Sequence, residues 1–244
     1  MRRPCEWVLV TVACWTAFAM GLDQRMYAGP FMKMPGVSWD PTSSLPAGTW
    51  NLGIAVITVH TNGSMSSFAS LSLNEFYPAL FPDGDADGKT FPAHLHAGAC
   101  AQRLGHYQKP GGDGSATAAN EAWPFVSCTE GAKRCEGSAM NTWQPLLGDL
   151  TAGMSIVVHD ETSNQRILCA DLVPALFGEL RPAPGYLSFY GAPRGQALAV
   201  HTGTETVVFV RLMAEGKSLY RRSLFQTRLN QGACSARGSA YKVR

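Results

Sequence analysis

A chain of 244 residues with a formal net charge of +2, 45% hydrophobic and 16% charged, is long enough for one domain of about 100–150 residues plus an appendage. It carries no nucleic-acid-binding motif, so that partner is not invoked. Beyond residue 19 no segment is apolar over the ~20 residues that a membrane span needs.

Residues 1–19 read as a signal peptide. Arg2 and Arg3 precede an apolar run over 7–19, Ala17-Phe18-Ala19 offers an A-x-A cleavage site, and Glu6 interrupts the basic lead. Its removal takes Cys5 and Cys14 with it and predicts a secreted, extracellular chain. Residues 20–45, with several Pro and Met, read as a flexible leader. Strand-like runs follow at 50–60 (WNLGIAVITVH) and 65–73. Between them Asn62-Gly63-Ser64 is a glycosylation sequon, usable only on the secretory path. Gly, Asp and Pro mark 82–89 and 109–115 as loops, and 111–144 shows few strand signals. Strands resume at 154–159 and 167–172. Short strands, turn clusters and no long amphipathic helical period predict an all-β antiparallel sandwich or barrel.

The chemistry concentrates in residues 91–110, FPAHLHAGACAQRLGHYQKP, where His94, His96 and His106 surround Cys100. Residues alternate faces along a strand, so His94 and His96 point the same way and can grip one ion from one side. His159 ends a later apolar run, with Arg166 and Cys169 after it. A third imidazole from the next loop and a fourth from a distant strand complete an all-nitrogen site. Imidazole suits copper, zinc, iron or nickel, and a tetragonal nitrogen set favours Cu(II). His60 and His201 sit beside apolar strand residues, far in sequence from this block, and are left out of the site. Cys128 and Cys135 lie seven apart in SCTEGAKRC; they close a small disulfide ring in an oxidising compartment, or else serve as a metal clip.

Three stretches together resemble the copper/zinc superoxide dismutase family. HLHAGAC followed by GHYQKP resembles its copper-binding block. GDLTAGMSIVVHDE (148–161) resembles its later GD…G-x-S-x-V-V-H strand, and NQRILCADL (164–172) its closing segment with Arg three residues before Cys. The match runs from about residue 49 to residue 173, roughly half the chain. The resemblance implies a Greek-key β-sandwich with copper held by His94, His96, His106 and His159. It pairs Cys100 with Cys169 and makes Arg166 the guide for the superoxide anion. In the family the middle histidine bridges to a zinc held by two further His and an Asp. Here no His lies between His106 and His159, so no zinc is expected, and Asp149 reads as part of the GD turn. The charged loop before the Arg has also shrunk to residues 160–165, and both losses match the family's copper-only extracellular branch.

That likeness implies dismutation of superoxide to dioxygen and hydrogen peroxide, with His106 delivering protons. A carboxylate must replace zinc behind His106; Glu121 is the first choice and Asp113 the second. Two other readings stay open: a secreted copper carrier without significant turnover, and a structural sandwich that copper merely stabilises. Arg166 argues for the enzyme, since a carrier has no use for an anion guide.

The domain so defined runs from 46 to 180. Residues 181–244 read as a degenerate partial second repeat, because ALAVHT (197–202) echoes ITVHT and FQTRLNQGAC (225–234) echoes FPAHLHAGAC. Arg228 and Asn230 replace the two histidines there. A half sandwich needs a partner, which makes a homo-oligomer one expectation. Residues 216–244 hold seven Lys or Arg and no Asp or Glu, so anionic polysaccharide is a further possible partner, set against a plain solvated edge. Cys234 is left without an assigned partner.

Overall fold

The computed structural model describes residues 8–12, 25–34, 52–72, 88–128, 134–180, 194–201, 206–213 and 225–229. Its strands are β1 (Val8–Val12), β2 (Arg25–Pro30), β3 (Met32–Lys33), β4 (Gly53–Val59), β5 (Met65–Ser72), β6 (Thr90–Phe91), β7 (Ala93–Ala97), β8 (Val126–Cys128), β9 (Arg134–Asn141), β10 (Met154–His159), β11 (Arg166–Leu180), β12 (Arg194–His201), β13 (Thr206–Met213) and β14 (Phe225–Leu229). One short helix, α1 (Leu147–Ala152), precedes β10. The fold is mostly β-strand with almost no helix among the described residues, as the turn-rich sequence predicts.

Two compact units divide the chain. The larger is Asp23–Ala175 with Val200–Glu205. In it β7 pairs with β10, β10 with β11, and β11 with β3 and then β2; from β2 the order runs on through β4, β5, β9 and β8 to β6. β6 and β7 are therefore the two ends of this series of strands, yet only Pro92 separates them in the chain. That connection draws the ends together and gives a nearly closed, antiparallel, barrel-like sheet. Strand β4 shows why: GIAVITV alternates buried and partly exposed positions along its whole length, so one face is committed to the core. Ala55 and Val59 meet Ala69 and Met65 of β5 there. Phe31, Leu52, Ile57, Leu71, Leu95, Met154, Ile156 and Leu168 are fully enclosed.

Two sequence expectations need correction. Residues 25–34 are not a leader: β2 pairs with β4 over six positions, Arg25–Val59 to Pro30–Ile54, and Tyr27, Ala28, Phe31 and Met34 are buried. Strands β2 and β3, which precede residue 46, thus belong to the larger unit. Nor is 111–144 poor in strands, since β8 and β9 lie within it. β9 (RCEGSAMN) has little apolar alternation because it is recruited by β5, from Met65–Asn141 to Ser72–Arg134. Its Gly137 also lies so close to Phe125 that a Cβ there would sit 1.8 Å from the Phe125 carbonyl oxygen.

The smaller unit gathers Met1–Leu22, Leu176–Ala199 and Thr206–Arg244. In it β1, which falls inside the stretch read as an export signal, runs parallel to β14. Cys234 and most of the basic segment lie outside the described residues. No helix among the described residues is long and apolar enough to cross a membrane.

Candidate metal centre

β7 carries two histidines among three small or apolar residues. Ala93 and Leu95 turn to the core, and by alternation His94 and His96 turn to the other face. Antiparallel β10 lies alongside, with Val157 opposite His94 and Ser155 opposite His96. On that face His159 is the next residue of β10, two beyond Val157, and a register shift at Val158/His159 places it opposite Arg166. The chain after β7 turns at Gly98, whose φ of 85° suits glycine, and doubles back. Ala97 N donates to Gly105 O at 3.0 Å and Tyr107 N to Leu95 O at 2.8 Å, so His106 bridges to His96.

Four imidazoles thus converge, one ligand nitrogen from each lying within 4.8 Å of the others. The two longest ring-to-ring separations, 6.4 Å for His94–His96 and 6.1 Å for His106–His159, are the diagonals of a four-sided figure. Its sides measure 4.1, 4.9, 5.7 and 5.1 Å in the order His94, His106, His96, His159. The arrangement is a tetrahedron flattened toward a square.

Three of the four rings are held by one nitrogen and offer the other. The nitrogens His96 Nδ1 and His159 Nδ1 lie 2.9 Å from Leu104 O and 3.0 Å from Asn164 O, which makes them donors and leaves Nε2 as a bare lone pair. His106 Nδ1 lies 2.8 Å from Glu121 Oε2, leaving its Nε2 for the cluster. His94 Nδ1, His96 Nε2 and His159 Nε2 are buried without any hydrogen-bond partner. A buried orphan costs about 1–3 kcal/mol, and three on one spot fit a metal ion that takes their lone pairs. Neutral imidazole is the form a metal needs, and the site enforces it. Burial, then the neighbours His106, His159 and His96, holds the His94 pKa down to about 3. Burial likewise holds His96 down to about 4, against the opposing bond to Leu104 O, and burial lowers His159.

A stability prediction follows for the metal-free protein. Unfolded imidazoles take a proton near 6.5, whereas folded His94 and His96 do so only near 3 and 4. The unfolded state therefore binds more protons between those values, and stability falls as pH drops through that window. Urea unfolding of metal-free protein should give a free energy that is flat above about pH 7 and declines steadily from about 6.5 toward 4. A flat profile across that interval would contradict the buried, neutral histidines.

The other predicted residues fall as follows. Arg166 donates through Nη2 to Leu104 O at 3.0 Å, the same oxygen that receives His96. Glu121, only 1% exposed, faces His106. Asp113 does not: it is fully exposed and accepts from Ser115 and Asn120 within its own loop. Asp149 accepts from Tyr107 OH at 2.5 Å. Cys100 and Cys169 form a disulfide, as do Cys128 and Cys135 across β8 and β9, which leaves no thiols for a metal clip. Asn62 is exposed at the β4–β5 turn, where its Oδ1 accepts from Ser64 N and Oγ. His60 lies 3.2 Å from Ser66 Oγ and is not part of the cluster, and neither is exposed His201.

Sequence reasoning missed Gln108 and Trp123. Gln108 Nε2 and Trp123 Nε1 both donate to Glu121, and the Trp123 ring lies 5.6 Å from that of His94. No family model, curated protein or solved structure matches the chain.

Proposed function

We propose that the protein is a secreted, copper-only superoxide dismutase with the Greek-key fold of the copper/zinc superoxide dismutase family. The observation that carries this reading is the flattened set of four imidazoles with three orphaned nitrogens. Four imidazole donors with ring centres flattened away from a regular tetrahedron favour copper over the tetrahedral preference of zinc. Copper bound there supplies a one-electron carrier between two superoxide anions, which with two protons become dioxygen and hydrogen peroxide.

The chain's own groups do the rest. His94 would hold the ion through Nδ1, and His96 and His159 through Nε2, each ring locked in position by strand register or a carbonyl. His106 is the most exposed of the four, with a third of its side chain accessible, and is the route for protons from solvent. Glu121 anchors its far nitrogen so that the ring returns to one place. Arg166 puts a fixed positive charge beside His96 and draws the anion in. Two disulfides support an oxidising compartment.

The Arg166→Ala variant tests the reading. Copper content should stay near that of the wild type while superoxide loss slows about tenfold, within the range that focused charge commands. The wild-type rate should also fall as salt rises, and the variant's far less, because ions screen the attraction. Equal salt slopes would remove the guiding role. If copper-loaded wild type is no faster than a chelated copper blank, the carrier reading takes its place.

A further inference from the structure

The Glu121 carboxylate is enclosed, and its two oxygens receive three donors. Oε2 takes His106 Nδ1 at 2.8 Å and Trp123 Nε1 at 2.7 Å, while Oε1 takes Gln108 Nε2 at 2.5 Å. A carboxylate with one partner can swivel about its last torsion. This one cannot, because the indole N–H is a donor only and fixes which oxygen lies between Trp123 and His106. Gln108 is turned to serve the same end: with its amide nitrogen on Glu121, its own Oε1 is buried without a partner.

The backbone around Trp123 is held at several points. Lys109 N donates to Asn120 O, Leu95 N to Ala122 O at 3.1 Å, and Asn141 Nδ2 to Glu121 O at 3.0 Å. The indole therefore has a fixed place, with one side near His94 and its N–H on the carboxylate that holds His106. His94 and His106 are also the closest pair of rings in the cluster, at 4.1 Å.

We infer that Trp123, assisted by Gln108, is a positioning residue that aims the Glu121 carboxylate at His106 Nδ1, fixing the His106 tautomer and so the site's hold on its metal. This rests on the four-histidine metal reading and extends it to two residues outside the ligand set. Trp123 acts only through Glu121, so its effect should vanish once Glu121 no longer carries a carboxylate.

The test uses the full chain and the Trp123→Phe variant, which keeps an aromatic ring and loses the N–H. In metal-free protein, nitrogen NMR of the histidine side chains should show His106 fixed as the Nδ1–H form in the wild type and mixed in Trp123→Phe. His96 and His159, held by carbonyls, should stay unchanged. With copper alone as probe and a competing chelator, affinity should fall about tenfold, and by no further amount when the change is added to Glu121→Gln. The inference is overturned if Trp123→Phe keeps the wild-type tautomer, if His96 and His159 shift with it, or if its loss of affinity adds in full to that of Glu121→Gln. Should Trp123→Phe fail to fold, Gln108→Met removes the donor to the other oxygen and is read by the same criteria. The tautomer measurement needs no metal. Failure of copper to bind would therefore sink the metal reading while leaving this inference to be decided by NMR.

Discussion

Replacing His96 with Ala should strip the protein of its metal. His96 is 1% exposed, its Nδ1 is committed to Leu104 O, and its Nε2 is buried without a hydrogen-bond partner. Losing an outer partner of a ligand costs about 10- to 100-fold in affinity, and losing the ligand itself should exceed that. The same variant should abolish a stability effect. Wild type should gain stability on copper loading, because the ion binds only the folded site, whereas His96→Ala should gain little. Thermal unfolding with and without copper reads both. A variant that keeps stoichiometric copper and the full stabilisation would move the site elsewhere.

The second large effect belongs to the Cys100–Cys169 disulfide. It closes a loop with a sequence separation of 69 residues, which the chain-entropy relation values at about 4 kcal/mol. That is a large share of the ~5–15 kcal/mol that holds a domain folded. The Cys128–Cys135 ring, with a separation of 7, is worth only about 2 kcal/mol by the same relation. Cys169→Ser should therefore lower the urea midpoint far more than Cys135→Ser. It should also weaken metal binding, because Cys100 opens the loop that carries Leu104 O and His106, the groups that set His96, Arg166 and the fourth ligand. Equal midpoints for the two variants would contradict this ranking.

The pair His94 and His96 was legible because strand alternation depends on local sequence alone. The approach of His106 and His159 was not local. It required the return of the loop after Gly98 and the β7–β10 register, so the clustering of histidines in sequence and the family resemblance suggested the set while no local pattern placed it. β2 was missed because Pro, Met and Gly mask a strand whose burial is decided by β4 and β11. β9 was missed for the same reason, its small and polar residues being chosen for close approach rather than for apolar alternation. Trp123 and Gln108 were invisible, since no spacing rule links an indole, an amide and a histidine that meet on one carboxylate.

Whether these four imidazoles form one copper site is tested most directly by electron paramagnetic resonance of the copper-loaded chain, with elemental analysis of the same sample. One copper per chain, no tightly held zinc and an axial signal split by four nitrogens is the predicted result. A stoichiometric zinc, or a copper signal unchanged when His94 is replaced by Ala, would contradict it.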